Sequence, residues 1–210
     1  MQNIFISGEF AGQYQKEYQD YQSFWQMMTE IEHQSSLILI SQEQCAEMEC
    51  LDQDLYPIKY LELSGLDEVA ILKGVGFKDE GSWLKLINLY QGNPVYLKSI
   101  AGLIKNIFDG HVAVFLAEND LLITKDIQGI LKQLFNKSSP LEKQLVLELS
   151  KFDQPVTRKD LITTLDWSSM NLINSWQSLQ QRYLVKKIYN GKVHFKLSPI
   201  FQEYVRNCQN

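Results

Sequence analysis

The sequence predicts a mainly α chain with an α/β remnant at its N-terminal end, and three observations predict it. Apolar residues recur at helical spacing through most of residues 63–210, as in Leu97, Ile100, Ala101 and Ile104. Turn residues cut that pattern into short helices, most clearly at Gly92-Asn93-Pro94, where Asn93 suits an N-cap and Pro94 the first helical position. Nearer the N-terminus, Leu37-Ile38-Leu39-Ile40 is an unbroken apolar run of β-forming residues, which reads as a strand buried on both faces.

The elements follow in order. Tyr14, Tyr18, Tyr21, Trp25, Met28 and Ile31 fall three or four apart, predicting an amphipathic helix over about 15–33. The strand at 37–40 and a second candidate at Ile58–Leu63 complete a short α/β layout, with an acidic loop between them. Helices are then expected at Val69–Gly74, Trp83–Tyr90, Val95–Phe108 and Thr124–Asn136, with a short apolar piece at Val112–Ala117, a small helical bundle. Ser139-Pro140 opens the last unit, and Thr157 with Asp160 resembles a capping box. A short second helix and a third starting at Ser168 follow, the third with Leu172, Trp176, Leu179 and Tyr183 on one face. Leu184–Ile188 and Val193–Leu197 then read as a hairpin through Asn190-Gly191, with a last helix after Pro199. Three helices followed by a hairpin make a winged helix.

Composition narrows the function classes. The chain has 210 residues, 45% hydrophobic, enough for one sizeable core or two or three small ones. No apolar run approaches the ~18–20 residues of a membrane span, and MQNIFISGEF lacks the basic region of a signal peptide. A cytoplasmic protein without membrane association is expected. Cys45, Cys50 and Cys208 are irregularly spaced and suggest neither a zinc site nor a disulfide framework. The net charge of −5 is uneven: −8 over residues 1–60, −2 over 61–134 and +5 over 135–210. Such steps argue for separate units, the last of them suited to an acidic partner.

The sequence offers no catalytic constellation. His33, His111 and His194 lie far apart and beside no nucleophile motif, and neither GxxxxGK[ST] nor GxGxxG occurs. The acids from Glu47 to Asp54 lack the spacing of a calcium loop and read as a solvated face, so no metal site is expected. A winged helix invites a DNA reading, with Asn171–Arg182 as the recognition helix and Lys186, Lys187 and Lys192 on phosphates. Against it, Arg182 is that helix's single base, among Asn174, Ser175, Gln177, Ser178, Gln180 and Gln181. Phosphate contacts supply most of the affinity of such modules, so DNA is the lesser alternative.

The order of parts resembles the NB-ARC region of STAND-class signalling ATPases (AP-ATPases), and is most similar to cyanobacterial members, which often precede WD40 or other repeats. The resemblance rests on HQSSLILISQEQ over 33–44, Leu61-Glu62-Leu63-Ser64-Gly65-Leu66, YQGNPVYLK over 90–98, and matching positions at Pro140–Glu142, Gln154–Val156, Leu179–Val185 and Phe195–Val205. It implies three domains: a remnant of the nucleotide-binding domain (1–62), a helical bundle (63–137) and a winged helix (138–210). It implies ADP or ATP as the nucleotide of the intact family, with Pro94 near the adenine and Gly92 and Asn93 shaping the loop. Three departures stand out. The phosphate-binding loop and the magnesium-positioning acidic strand would lie upstream of Met1. Gln42 stands at the sensor arginine, and Ser198 at the phosphate-contacting histidine. The expectation is a truncated or split regulatory module for signal transduction, not an enzyme alone and binding no nucleotide alone. It would act with a protein partner, an upstream phosphate-loop chain or as an oligomer.

Overall fold

The computed structural model describes residues 4–45, 59, 61–63, 65–66, 69–118 and 121–208. Among these lie nine α-helices and one two-stranded antiparallel sheet. The chain separates into two units, one of residues 1–60 with 133–210 and one of 61–132.

In the second unit, a 3-10 turn at Val69–Leu72 replaces the helix expected over Val69–Gly74. Three helices follow: α2 (Trp83–Leu89), α3 (Pro94–Ile107) and α4 (Val112–Glu118), with α5 (Lys125–Lys137) crossing the unit boundary. Their periodic apolar faces supply the core, with Leu86, Ile87, Tyr90, Ile100, Ile104, Val112, Phe115 and Ile127 fully buried.

The C-terminal part of the first unit holds α6 (Pro140–Ser150), α7 (Arg158–Leu165), α8 (Ser169–Gln181), β1 (Val185–Asn190), β2 (Lys192–Leu197) and α9 (Pro199–Asn207). Helix α6 starts with a complete capping box: the Ser139 amide donates to Glu142 at 2.7 Å and the Glu142 amide to Ser139 Oγ at 3.2 Å. Ser168 caps α8 by accepting from the Asn171 amide. At α7, the Thr157 amide and hydroxyl both donate to Asp160, which holds its carboxyl below the usual range. Helix α6 packs on α8 and α9, and the Trp176 ring of α8 lies against Phe195 of β2. The hairpin is tighter than its Asn-Gly pair suggests. Asn190 pairs with Lys192, leaving Gly191 at the tip with φ 67°, and Asn190 keeps an ordinary φ.

The N-terminal part has its own small cluster of Ile4, Phe5, Tyr14, Trp25 and Cys45, with Tyr18 and Leu39 against it. A Phe5–Tyr14 bridge closes the first loop, in which Gly8 and Gly12 take positive φ. The helix expected over 15–33 is shorter: a 3-10 turn at Lys16–Tyr18, then α1 (Asp20–Glu30). Tyr21 and Ile31 of its stripe are exposed.

The α/β remnant needs correction. Leu37–Ile40 forms no strand, and Ile38 is 85% and Ile40 78% exposed. A strand buried on both faces needs flanking strands, and the described residues hold no sheet besides the hairpin. Of the second expected strand, Leu61 and Leu63 are exposed and unpaired, and residue 58 lies outside the described residues. The acidic run Glu47–Asp54 and Cys50 also lie outside them.

Candidate functional site

Gly92, Asn93 and Pro94 sit in the second unit, in a loop fixed from three directions. Helix α2 ends in a Schellman arrangement: the Gly92 amide donates to Ile87 O at 2.8 Å and the Gln91 amide to Asn88 O at 3.1 Å, with Gln91 left-handed at φ 56°. Asn93 Oδ1 accepts from the Val95 and Tyr96 amides, capping α3, whose first residue is Pro94. The third constraint comes from Gly65-Leu66. The Leu66 amide donates to Gly92 O at 2.8 Å, and the two backbones touch. A Cβ on Gly65 would lie 1.7 Å from Gln91 O, and one on Gly92, at φ 63°, 2.1 Å from Leu66 O. Only glycine permits this approach from either side. Just before the loop, burial pushes the Tyr90 hydroxyl up to about 12; it stays protonated and donates to Leu122 O at 3.0 Å.

Beside the loop, Pro94 helps line a cavity of about 350 Å³ with Leu72, Val75, Leu97, Ala101 and Gly102, and with Lys98 and Lys105 flanking it. That volume falls in the range of small-molecule pockets. Gly65→Ala and Gly92→Ala should each cost more than ~2 kcal/mol, from left-handed strain or lost backbone contact. Gly102→Ala, with open space around its Cβ, should leave the chain as stable or slightly more so. Urea unfolding of the three variants checks this.

Gln42 and Ser198 belong to the first unit. Ser198 precedes α9; its amide donates to Leu184 O, and its carbonyl accepts from the Gln202 amide. Gln42 is exposed at the rim of a water-sized cavity, about 20 Å³, lined also by Glu43, Lys137 and Arg182.

Arg182 departs from the sequence reading. Its side chain is buried, with Nε donating to Glu142 Oε1 at 3.1 Å, Nη1 to Glu43 Oε2 at 2.9 Å and Nη2 to the Glu9 carbonyl at 2.7 Å. Ser178 Oγ donates to Glu142 at 2.6 Å and accepts from the Ala11 amide at 2.6 Å, while the Gly12 amide donates to Glu43 at 2.8 Å. Nucleic acid therefore finds no free guanidinium here. Ser175, Ser178 and Gln181, expected on the surface, are buried too. The sequence carried no sign of this cluster, because Glu9, Glu43, Glu142 and Arg182 share no local pattern. Lys186, Lys187 and Lys192 are exposed on the hairpin, as expected.

Removing the guanidinium leaves Glu43 and Glu142 facing each other without the cation that bonds both. Arg182→Met should cost ~3–5 kcal/mol, whereas Lys186→Glu should stay within ~0.5 kcal/mol, both read by chemical unfolding. Burial raises the Glu43 carboxyl above 4.5, more than Arg182 lowers it. A carboxyl more easily protonated when folded lends stability in acid, lost as pH rises from about 4.5 through its raised native value. Unfolding free energies across the acid range should fall less steeply with rising pH in Glu43→Gln than in the parent.

No described group of His, Cys, Asp and Glu residues could hold a metal ion. No described helix is long and apolar enough to cross a membrane. No protein-family model matches the chain. It is 33% identical, over 215 aligned positions, to an uncharacterized WD repeat-containing protein of Nostoc sp. (strain PCC 7120 / SAG 25.82 / UTEX 2576); the match takes in 98% of this chain and 17% of that protein's length.

Proposed function

We propose that the chain is the nucleotide-switch and protein-interaction part of a STAND/NB-ARC-type regulatory protein, and is not catalytic by itself. The observation that carries the reading is the contact between Gly65 and Gly92. Two motifs noticed separately in the sequence, the Leu-x-Leu-x-Gly-Leu entry and the Tyr-x-Gly-Asn-Pro loop, meet backbone to backbone at two glycines that nothing larger could replace. A loop so fixed, with Pro94 beside an apolar cavity, is suited to form one wall of a nucleotide pocket. The second support is the order α6, α7, α8, β1, β2, α9, which we read as a winged helix. The antiparallel bridge between Val156 and Phe195 adds a short third member beside its hairpin.

The phosphate end of the pocket has to come from elsewhere. The 210 residues contain no GxxxxGK[ST] loop, and Gln42 and Ser198 bring no charge to a terminal phosphate. The winged-helix unit then serves the switch, with ADP and ATP as the ligands of the assembled site. In the Nostoc relative the corresponding stretch belongs to a much longer WD repeat-containing protein, which fits a module working inside a larger assembly. A DNA-binding regulator is the weaker reading, since Arg182 is buried and α8 has neither lysine nor arginine of its own.

Isothermal titration with ADP tests the assignment. The purified chain should give no binding in the micromolar range, and adding a phosphate-loop domain as a separate chain should create ADP binding that Gly92→Ala weakens at least about ten-fold, some 1.4 kcal/mol. Micromolar ADP binding by the chain alone would show that the site needs no partner and overturn the reading.

A further inference from the structure

The hairpin has one edge that nothing among the described residues covers, and its geometry defines what that edge offers. On the far side of the hairpin, Phe195 exchanges both backbone bonds with Val156, at 2.9 and 2.8 Å. Its N–H and C=O therefore point away from β1. In an antiparallel ladder the residue opposite must turn its own groups outward as well. That residue is Lys187, and by alternation Tyr189 does the same, whereas Lys186, Ile188 and Asn190 bond to β2. The outward N–H and C=O groups of Lys187 and Tyr189 have no backbone partner among the described residues.

The side chains along this edge carry one sign of charge. Lys186 lies directly opposite Lys196, a like-charge pair that costs the hairpin stability, and Lys192 lies at the tip on the same face. None of Lys186, Lys187, Lys192 and Lys196 forms an ion pair among the described residues. Ile188 is exposed on the face of Lys186, and Tyr189, 78% exposed, on the opposite face with Lys187. Lysines on an edge repel other basic edges, and the same residues favour an acidic strand.

We propose that the outer edge of β1 is a docking site for an acidic, extended segment of a partner protein, which adds to the hairpin as a third strand. Its backbone would bond to Lys187 and Tyr189, its carboxylates would lie on the face of Lys186, Lys192 and Lys196, and its alternate apolar residues would lie on the opposite face beside Tyr189. This mode takes affinity from main-chain bonds and specificity from alternate side chains. Nucleic acid fits less well. A phosphate backbone cannot use spaced N–H and C=O pairs, and the exposed side of α8 offers Met170, Ile173, Asn174 and Gln177, without a cation.

The test uses the full chain and a fluorescent, end-blocked peptide of alternating Glu and Val, with a Lys-Val peptide and a random-sequence DNA duplex beside it. The Glu-Val peptide should bind at physiological salt and the Lys-Val peptide should not. Lys186→Glu combined with Lys187→Glu should weaken binding at least about ten-fold. Tyr189→Pro removes one outward N–H without touching a ladder bond; it should weaken binding at least about ten-fold beyond Tyr189→Ala. Circular dichroism and the thermal midpoint confirm that each variant stays folded, and the charge-reversed pair decides the matter if the proline variant does not. Absence of peptide binding, equal binding by Tyr189→Pro and Tyr189→Ala, or tighter binding of the duplex than of the acidic peptide each overturns the proposal.

Discussion

A guanidinium buried between two carboxylates organises the first unit. Taking charges out of water costs several kcal/mol per ion, and the cost is recovered only when nearly every donor and acceptor is used. Here Arg182 spends Nε, Nη1 and Nη2 on Glu142, Glu43 and the Glu9 carbonyl, and the carboxylates accept further bonds from Ser178, Ser139 and the Gly12 amide. Glu142 holds two roles at once, closing the capping box of α6 and pairing with Arg182. The start of one helix and the end of another thus depend on a single side chain. The N-terminal loop joins through amides and a carbonyl at Glu9, Ala11 and Gly12. Polar contacts of fixed direction therefore seat this segment, while the Ile4, Phe5, Tyr14, Trp25 and Cys45 cluster packs it internally.

The second unit reaches definition by a different route. Its loop at 91–93 relies on local geometry: a left-handed Gln91, a glycine pair in backbone contact, and the Asn93 side-chain cap. Each constraint restricts the same few torsions, so the position of Pro94 is set more than once. The proposed ligand surface would gain from such redundancy, because little further entropy is lost on binding. The hairpin is the contrary case. Its tip and outer edge carry lysines without an ion pair, and backbone groups without a backbone partner, among the described residues.

What was legible in the sequence was local. Ser139-Pro140, Thr157 with Asp160, Ser168, and Asn93-Pro94 each lie within four residues of the groups they serve, and each helix start stands where its cap places it. The helical character and the hairpin follow from periodicity of the same short range. Leu37–Ile40 misled because an apolar run states only that burial is favourable. It does not supply the neighbouring strands, and three of its four side chains are exposed. Arg182 misled for the opposite reason: in a helix otherwise rich in amides it looked like the one exposed base. Its partners Glu43 and Glu142 are 139 and 40 residues away in sequence. The candidate loop was half legible. Asn93 and Pro94 announced a helix start, while the need for glycine at 92 came from Gly65, twenty-seven positions earlier.

The two proposed surfaces would suit different parts of the proposed regulatory role. The loop proposed as a nucleotide wall has redundant constraints, and its key residues are glycines that tolerate no Cβ. A partner edge has to be empty until the partner arrives, so its donors, acceptors and charges are left unmatched at some cost in stability. The like-charged Lys186–Lys196 pair guards the edge against other basic edges at a cost in hairpin stability. Carboxylates brought to it would relieve that cost. An interaction that relieves a cost already present in the free protein gains affinity from that relief, and binding at the hairpin would then stabilise the unit that carries Ser198 and the Arg182 cluster.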